Sequence, residues 1–198
     1  MKKRIILLGF LFSIIASAFA GPFGLEKGMS YEQVKEACGG REPVSIGDDR
    51  YLIIPQKPHP YFTKYVAWID AKEGLNYIKA IGADIETSSY GIELKSKYTS
   101  LETSLSKTYG RCDRTHILLP GSIWDDADDW MKALEKKERY LMTQWTRKYG
   151  STLPETMEGI YLAAVANSYS SGYVSLEYEF SNHEKVNEQK KAEEDSVF

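Results

Sequence analysis

The chain has 198 residues, with 25 lysines and arginines against 28 aspartates and glutamates and a formal net charge of −3. That balance argues against a nucleic-acid binder, which needs a basic face, and against holding an anionic membrane surface by charge alone. Two cysteines and three histidines, none at ligand spacing, give no metal centre.

Lys2, Lys3 and Arg4 form a positive start, residues 5–16 an apolar run, and Ala18-Phe19-Ala20 a small-x-small site. Together they predict a signal peptide over residues 1–20, cleaved after Ala20. The apolar run is shorter than the roughly 20 residues a membrane span needs. Membrane contact is therefore expected only during export, and the address is periplasmic or secreted. No cysteine follows the run, so no lipid anchor is expected. Residues 21–181 then form the folded α+β domain.

"FGLEKGMSYEQVKEACGG", residues 23–40, reads as a helix with its start and stop. Ser30 is the N-cap, Gln33 completes a capping box, and Met29 and Val34 are placed for a hydrophobic staple. Gly39 and Gly40 stop the helix through a left-handed C-cap. Gly28 stands before the helix rather than in a phosphate loop, which needs Gly-x₄-Gly-Lys-Ser/Thr after a strand. Strands are predicted at 51–54, 65–69 and 75–85, with prolines 55, 58 and 60 in a loop and "DAKEG" as a hairpin turn. Gly82 marks a bulge.

From Gly91 the period changes. Leu94, Tyr98, Leu101, Leu105 and Tyr109 share one helical face, closed by Gly110. A third helix is predicted over 122–137, capped by Ser122. Asp125, Asp126, Asp128 and Asp129 load its first two turns, where the dipole favours negative charge. Residues 140–146 read as a strand, with an extension of the third helix as the alternative. Strands 160–166 and 173–180 flank "NSYSSG" as a hairpin. The tail, 182–198, is either a frayed helix or disordered chain. Helix-then-strands thus occurs twice, over 24–86 and 91–180, as in an ancient duplication. The fold class is α+β, an antiparallel sheet packed by short helices.

Export puts Cys38 and Cys112 in an oxidising compartment, so a disulfide between them is expected. It would close a loop of roughly 75 residues and stabilise by up to about 4 kcal/mol.

Catalytic and cofactor signatures are absent: no Gly-x-Ser-x-Gly elbow, no His-x-x-x-His pair, no cofactor loop. Cys112 and His116 are too close in sequence for triad geometry, and Glu177 with Glu179 is too common a pattern to mark a glycosidase. "WDDADDW" lacks the glycine turn of a calcium loop and reads as a helix start. Trp68 and Trp145 in strands, with the four aspartates, are the candidate interaction surface. Such aromatics also pack ordinary sheets.

The opening stretch resembles a group of uncharacterised exported bacterial proteins that begin Phe-Gly-Leu-x-x-Gly-Met-Ser/Thr. "YGIELKSKYTSLETSLSKTYG" at 90–110 and "LEYEF" at 176–180 resemble later parts of that group. The core carried by Gly28, Met29, Ser30, Val34 and Gly39 is also similar to the outer-membrane-assembly lipoproteins of the SmpA/OmlA type and to β-lactamase inhibitor protein, which has it in two tandem copies. The resemblance implies a helix-then-antiparallel-sheet module that binds other proteins and catalyses nothing. The lipoprotein cysteine and the inhibitor's binding loops have no counterpart here. The expectation is a non-enzymatic periplasmic binding module for an envelope protein or glycan. The alternatives are an envelope hydrolase with unrecognised catalytic residues, or an inhibitor of a secreted enzyme.

Overall fold

The computed structural model describes residues 21–196. The predicted signal peptide lies outside them. The opening motif is a run of tight turns that plugs the core. Phe23 takes a positive φ of 59°, and its ring meets Tyr65, Tyr178 and Phe62 edge-on at 4.8, 5.7 and 6.1 Å. Leu25 is fully buried. The Gly28 N–H donates to the Leu75 carbonyl at 2.8 Å, and the Leu75 N–H donates to the Met29 carbonyl at 2.8 Å. Gly28, with φ +77°, lies so close to Gly74 that a Cβ on Gly74 would strike its carbonyl.

Helix α1 (Tyr31–Ala37) has the expected cap. The Gln33 N–H donates to Ser30 Oγ, and the Ser30 N–H donates to Gln33 Oε1 at 2.8 Å. Gly39 and Gly40 both take positive φ and return hydrogen bonds to Glu36 and Lys35. Val34 is the one buried residue of the helix, which suits so short an element: tertiary burial rather than propensity holds it.

Among the described residues nine strands form one antiparallel sheet: β1 (Val44–Gly47), β2 (Arg50–Ile53), β3 (Phe62–Asp70), β4 (Gly74–Gly82), β5 (Ile85–Glu86), β6 (Asp113–Leu118), β7 (Arg139–Thr146), β8 (Met157–Ala166) and β9 (Ser171–Phe180). Their order is β1-β2-β3-β4-β9-β8-β7-β6, with β5 beside β9. Each block supplies a four-strand meander preceded by a helix. The meanders join through their last strands, β4 and β9, with Ile78 level with Tyr178 and Ala80 with Leu176. α2 (Ile92–Tyr109) and α3 (Trp130–Glu135) share with α1 a single core cluster. It includes Ile53, Tyr65 and Ile78 from the first block and Leu141, Trp145, Ile160, Leu162, Leu176 and Phe180 from the second. These alternate along their strands, so α1–α3 cover one face of the sheet. α4 (His183–Asp195) meets the other face, where the His183 ring lies 4.8 Å from that of Tyr77.

Several expectations are corrected. The third helix does not span 122–137. Ser122 Oγ caps only a local turn, accepting the Trp124 N–H at 3.2 Å. Asp125 and Asp126 precede a 3₁₀ turn (Ala127–Asp129), and α3 covers six residues. Aspartate competes for the backbone and disfavours helix interiors. Helix forms only where Trp130, Met131, Ala133 and Leu134 are buried. The strand predicted over 75–85 ends at Gly82 and resumes briefly as β5. Two open readings are resolved as well: of the two given for the tail, helix holds over His183–Asp195, and 140–146 is strand as expected. β1 and β6 were not foreseen.

The expected disulfide is also absent: Cys38 and Cys112 are both free thiols. Cys38 caps α1 beside Ile54, just beyond β2, whereas Cys112 enters β6. Those strands stand six places apart in the order. At about 4.8 Å per strand those strands are roughly 29 Å apart measured along the sheet, whereas a disulfide needs Cα atoms roughly 5.5 Å apart.

Candidate binding face

The face turned away from α1–α3 carries the densest polar and aromatic array. Register sets Leu52, Val66, Lys79, Glu177, Tyr161 and Gln144 in one row across β2, β3, β4, β9, β8 and β7. The next row runs Arg50, Trp68, Tyr77, Glu179 and Gly159.

At its centre two tyrosines straddle β9 and cross. Tyr77 stands level with Glu179 but donates to Glu177. Tyr161 stands level with Glu177 but donates to Glu179 at 2.8 Å. These are the diagonal contacts that long side chains reach on a sheet. Lys79 Nζ adds an ion pair to Glu177 at 2.8 Å. Burial first, then hydrogen bonding to a carboxylate, pushes both phenols well above the usual tyrosine range. Both therefore remain donors at any physiological pH. Trp68 packs edge-on against Tyr77 at 4.9 Å.

α4 rests at the turn end of this face. Lys185 pairs with Glu73 at 2.6 Å, Lys190 with Asp49 at 2.8 Å and Lys72 with Glu193 at 3.2 Å. His183 Nδ1 meets Asn76 Oδ1 at 2.7 Å. Burial is the first cause holding His183 below the usual histidine value. Towards the two edges the face turns apolar. Val44 is 60% exposed and stands level with Leu52; Ile117 is 47% exposed and stands level with Tyr140.

Two other features lie outside this face. A cleft of about 760 Å³ opens between the N-terminal turns, the end of α2 and the loop before β8, walled by Pro22, Tyr109, Leu153, Pro154, Met157 and Phe180. Its size is that of a small-molecule site. On the helix side, buried Glu102 accepts from Thr143 Oγ1 at 2.5 Å and from Arg114 at 2.9 Å, and Thr143 bonds the Tyr98 hydroxyl at 2.6 Å. All four groups are satisfied, as a structural network requires.

The residues singled out from sequence do not form one surface. Trp68 is half-buried on the open face, but Trp145 is wholly buried on the helix side. Asp125, Asp126 and Asp128 are exposed and Asp129 half-buried, in and beside the turn before α3. Gly28, Met29, Ser30, Gln33, Val34 and Gly39 cap α1 and pin it to β4. Among the described residues no group of three acidic, histidine or cysteine side chains is placed to hold a metal. The Tyr77–Glu177 and Tyr161–Glu179 pairs were missed. Alternation in "VSLEYEF" put both glutamates on the wet face, yet nothing in it names tyrosines 100 and 18 residues away.

No family model matches this chain, and no curated protein and no solved structure matches it either.

Proposed function

We propose that this protein is an exported, periplasmic binding module without catalytic activity, which holds an envelope protein or glycan on the open face of its sheet. The observation that carries this reading is the crossed tyrosine–carboxylate array on the open sheet face, flanked by exposed apolar residues at both edges. Fixed acceptors and half-buried aromatics at the centre with apolar rims suit recognition. One further feature supports the address. A Cβ on Gly21 would strike the Leu25 carbonyl, so tight packing takes hold one residue past the predicted cleavage site.

The hydrolase alternative is favoured less. Glu177 and Glu179 sit two residues apart on one face, about 7 Å by strand rise, which is within the range of paired glycosidase carboxylates. Both, however, accept tyrosine hydrogen bonds on an open sheet face rather than facing a cleft. The test is photo-crosslinking in intact cells from Tyr140 or Tyr173, with Ser100 on α2 as control. The reading predicts one envelope partner recovered from the sheet positions and none from Ser100. Incubation with purified cell-wall glycan separates the glycan case. Equal labelling from all three positions, with no glycan retained, would sink the proposal.

A further inference from the structure

The β6–β7 pair gathers positive charge that is only partly neutralised. Register sets His116 level with Leu141, Arg114 with Thr143 and Leu118 with Arg139. Arg114, His116 and Arg139 therefore lie on the helix-covered side. Above them α2 presents Lys95, Tyr98 and Glu102, at helical spacings of three and four. One end of this ladder is neutralised, because Arg114 pairs with Glu102 at 2.9 Å.

The other end is not. Lys95 Nζ lies 4.7 Å from the centre of the Trp130 ring. The Trp130 indole N–H donates to His116 Nε2 at 3.2 Å. Indole is a donor only, so the neutral His116 ring carries its proton on Nδ1. Arg139 Nε is shut off from solvent with no hydrogen-bond partner among the described residues. Neither Lys95 nor Arg139 has a carboxylate within ion-pair distance among those residues. Burial, then Arg139, holds the Lys95 ammonium below its usual value. Burial, then Arg139, Arg114 and Lys95, does the same to His116.

We propose that Lys95, His116 and Arg139 form a binding site for an oxyanion, the carboxylate or phosphate group of a small ligand. Like charges repel, and a half-buried guanidinium without a partner has lost water for nothing. The cation–π contact of Lys95 with Trp130 offsets part of this cost, whereas the Arg139 Nε has no compensating contact among the described residues. An oxyanion removes both costs: it accepts from Lys95 Nζ and from the Arg139 fork, whose geometry matches carboxylate and phosphate. His116, whose Nε2 is taken by the Trp130 indole, keeps its Nδ1–H free to donate. All three side chains are at least partly open to solvent, so the ligand enters from outside and meets the terminal amino groups of Arg139 rather than its shielded Nε. The site is on the opposite side of the sheet from the proposed binding face and does not depend on it.

The test is ¹H–¹⁵N spectroscopy of the mature protein, titrated separately with inorganic phosphate and with acetate, ionic strength being held constant with sodium chloride. The Trp130 indole N–H is the reporter; those of Trp68, Trp124 and Trp145 monitor the fold. A saturable shift confined to Trp130 with either anion is expected, and which anion acts names the class. Arg139→Met and Lys95→Met should each weaken it about tenfold or more, as loss of a charge-assisted hydrogen bond does, while the other indoles stay in place. A non-saturating shift, one equal to that of chloride, or unchanged affinity in both variants overturns the site.

Discussion

Three histidines, His59, His116 and His183, are all held below the ordinary value, in each case first by burial. The sign of the consequence follows. A folded state that resists protonation binds fewer protons than the unfolded chain, so its stability is complete above the unfolded histidine value of about 6.5 and declines as pH falls below it. Urea midpoints should therefore be lower at pH 5.5 than at pH 7.5, and His183→Gln should shrink the difference. Equal midpoints would show that the rings gain protons without penalty. A second residue-scale expectation concerns Thr143, which joins Tyr98 to Glu102. Thr143→Val removes the acceptor of one and the donor of the other, at a cost of about 1–3 kcal/mol, read as a lower denaturation midpoint. At this scale the helix cap was legible in advance because Ser30, Gln33 and Gly39 act on backbone within three or four residues. The crossed tyrosines were not, because their partners are chosen by strand register, which follows from the whole sheet.

α4 illustrates how an element can be regular yet lightly attached. It is tied down by ion pairs at exposed or half-exposed positions and by His183, and it buries only Val186. Exposed ion pairs contribute little, about 0–1 kcal/mol each. A chain ended after Asn182 should keep a single cooperative melt with a modest loss of stability by thermal circular dichroism. Loss of cooperativity would mean that α4 belongs to the core. The polar composition of the tail announced weak docking, but whether it coils or stays disordered depends on Glu73, Asp49 and Lys72, which belong to other elements. α3 failed as a prediction for the converse reason. Dipole arguments placed four aspartates inside a helix, whereas burial of Trp130, Met131 and Leu134 sets where that helix begins. β6 was overlooked because two of its three helix-side positions are Arg114 and His116, with only Leu118 aliphatic, so the apolar alternation that marks a strand is missing.

For the whole molecule, the separation of Cys38 and Cys112 in strand order makes the fold independent of redox state. Thiol titration of the denatured protein, without reductant, should find two reactive groups, and a reducing agent should leave the melting temperature unchanged. A drop of several degrees on reduction would restore the bridge and require a different strand arrangement. The class of the molecule, α+β with antiparallel sheet, was legible from alternation and period. The single sheet was not, because the pairing that unites its halves joins residues about a hundred positions apart.

That union has a consequence for how the protein is made. Synthesis delivers the first block before the second. Until residues 171–180 emerge, β4 is a bare edge with Leu75, Ile78 and Ala80 awaiting cover, and its backbone groups on that side are open to any passing strand. The nascent first half is thus adhesive, and the finished molecule is not at that seam. A chain sent across a membrane would need a holding partner until its last strand arrives.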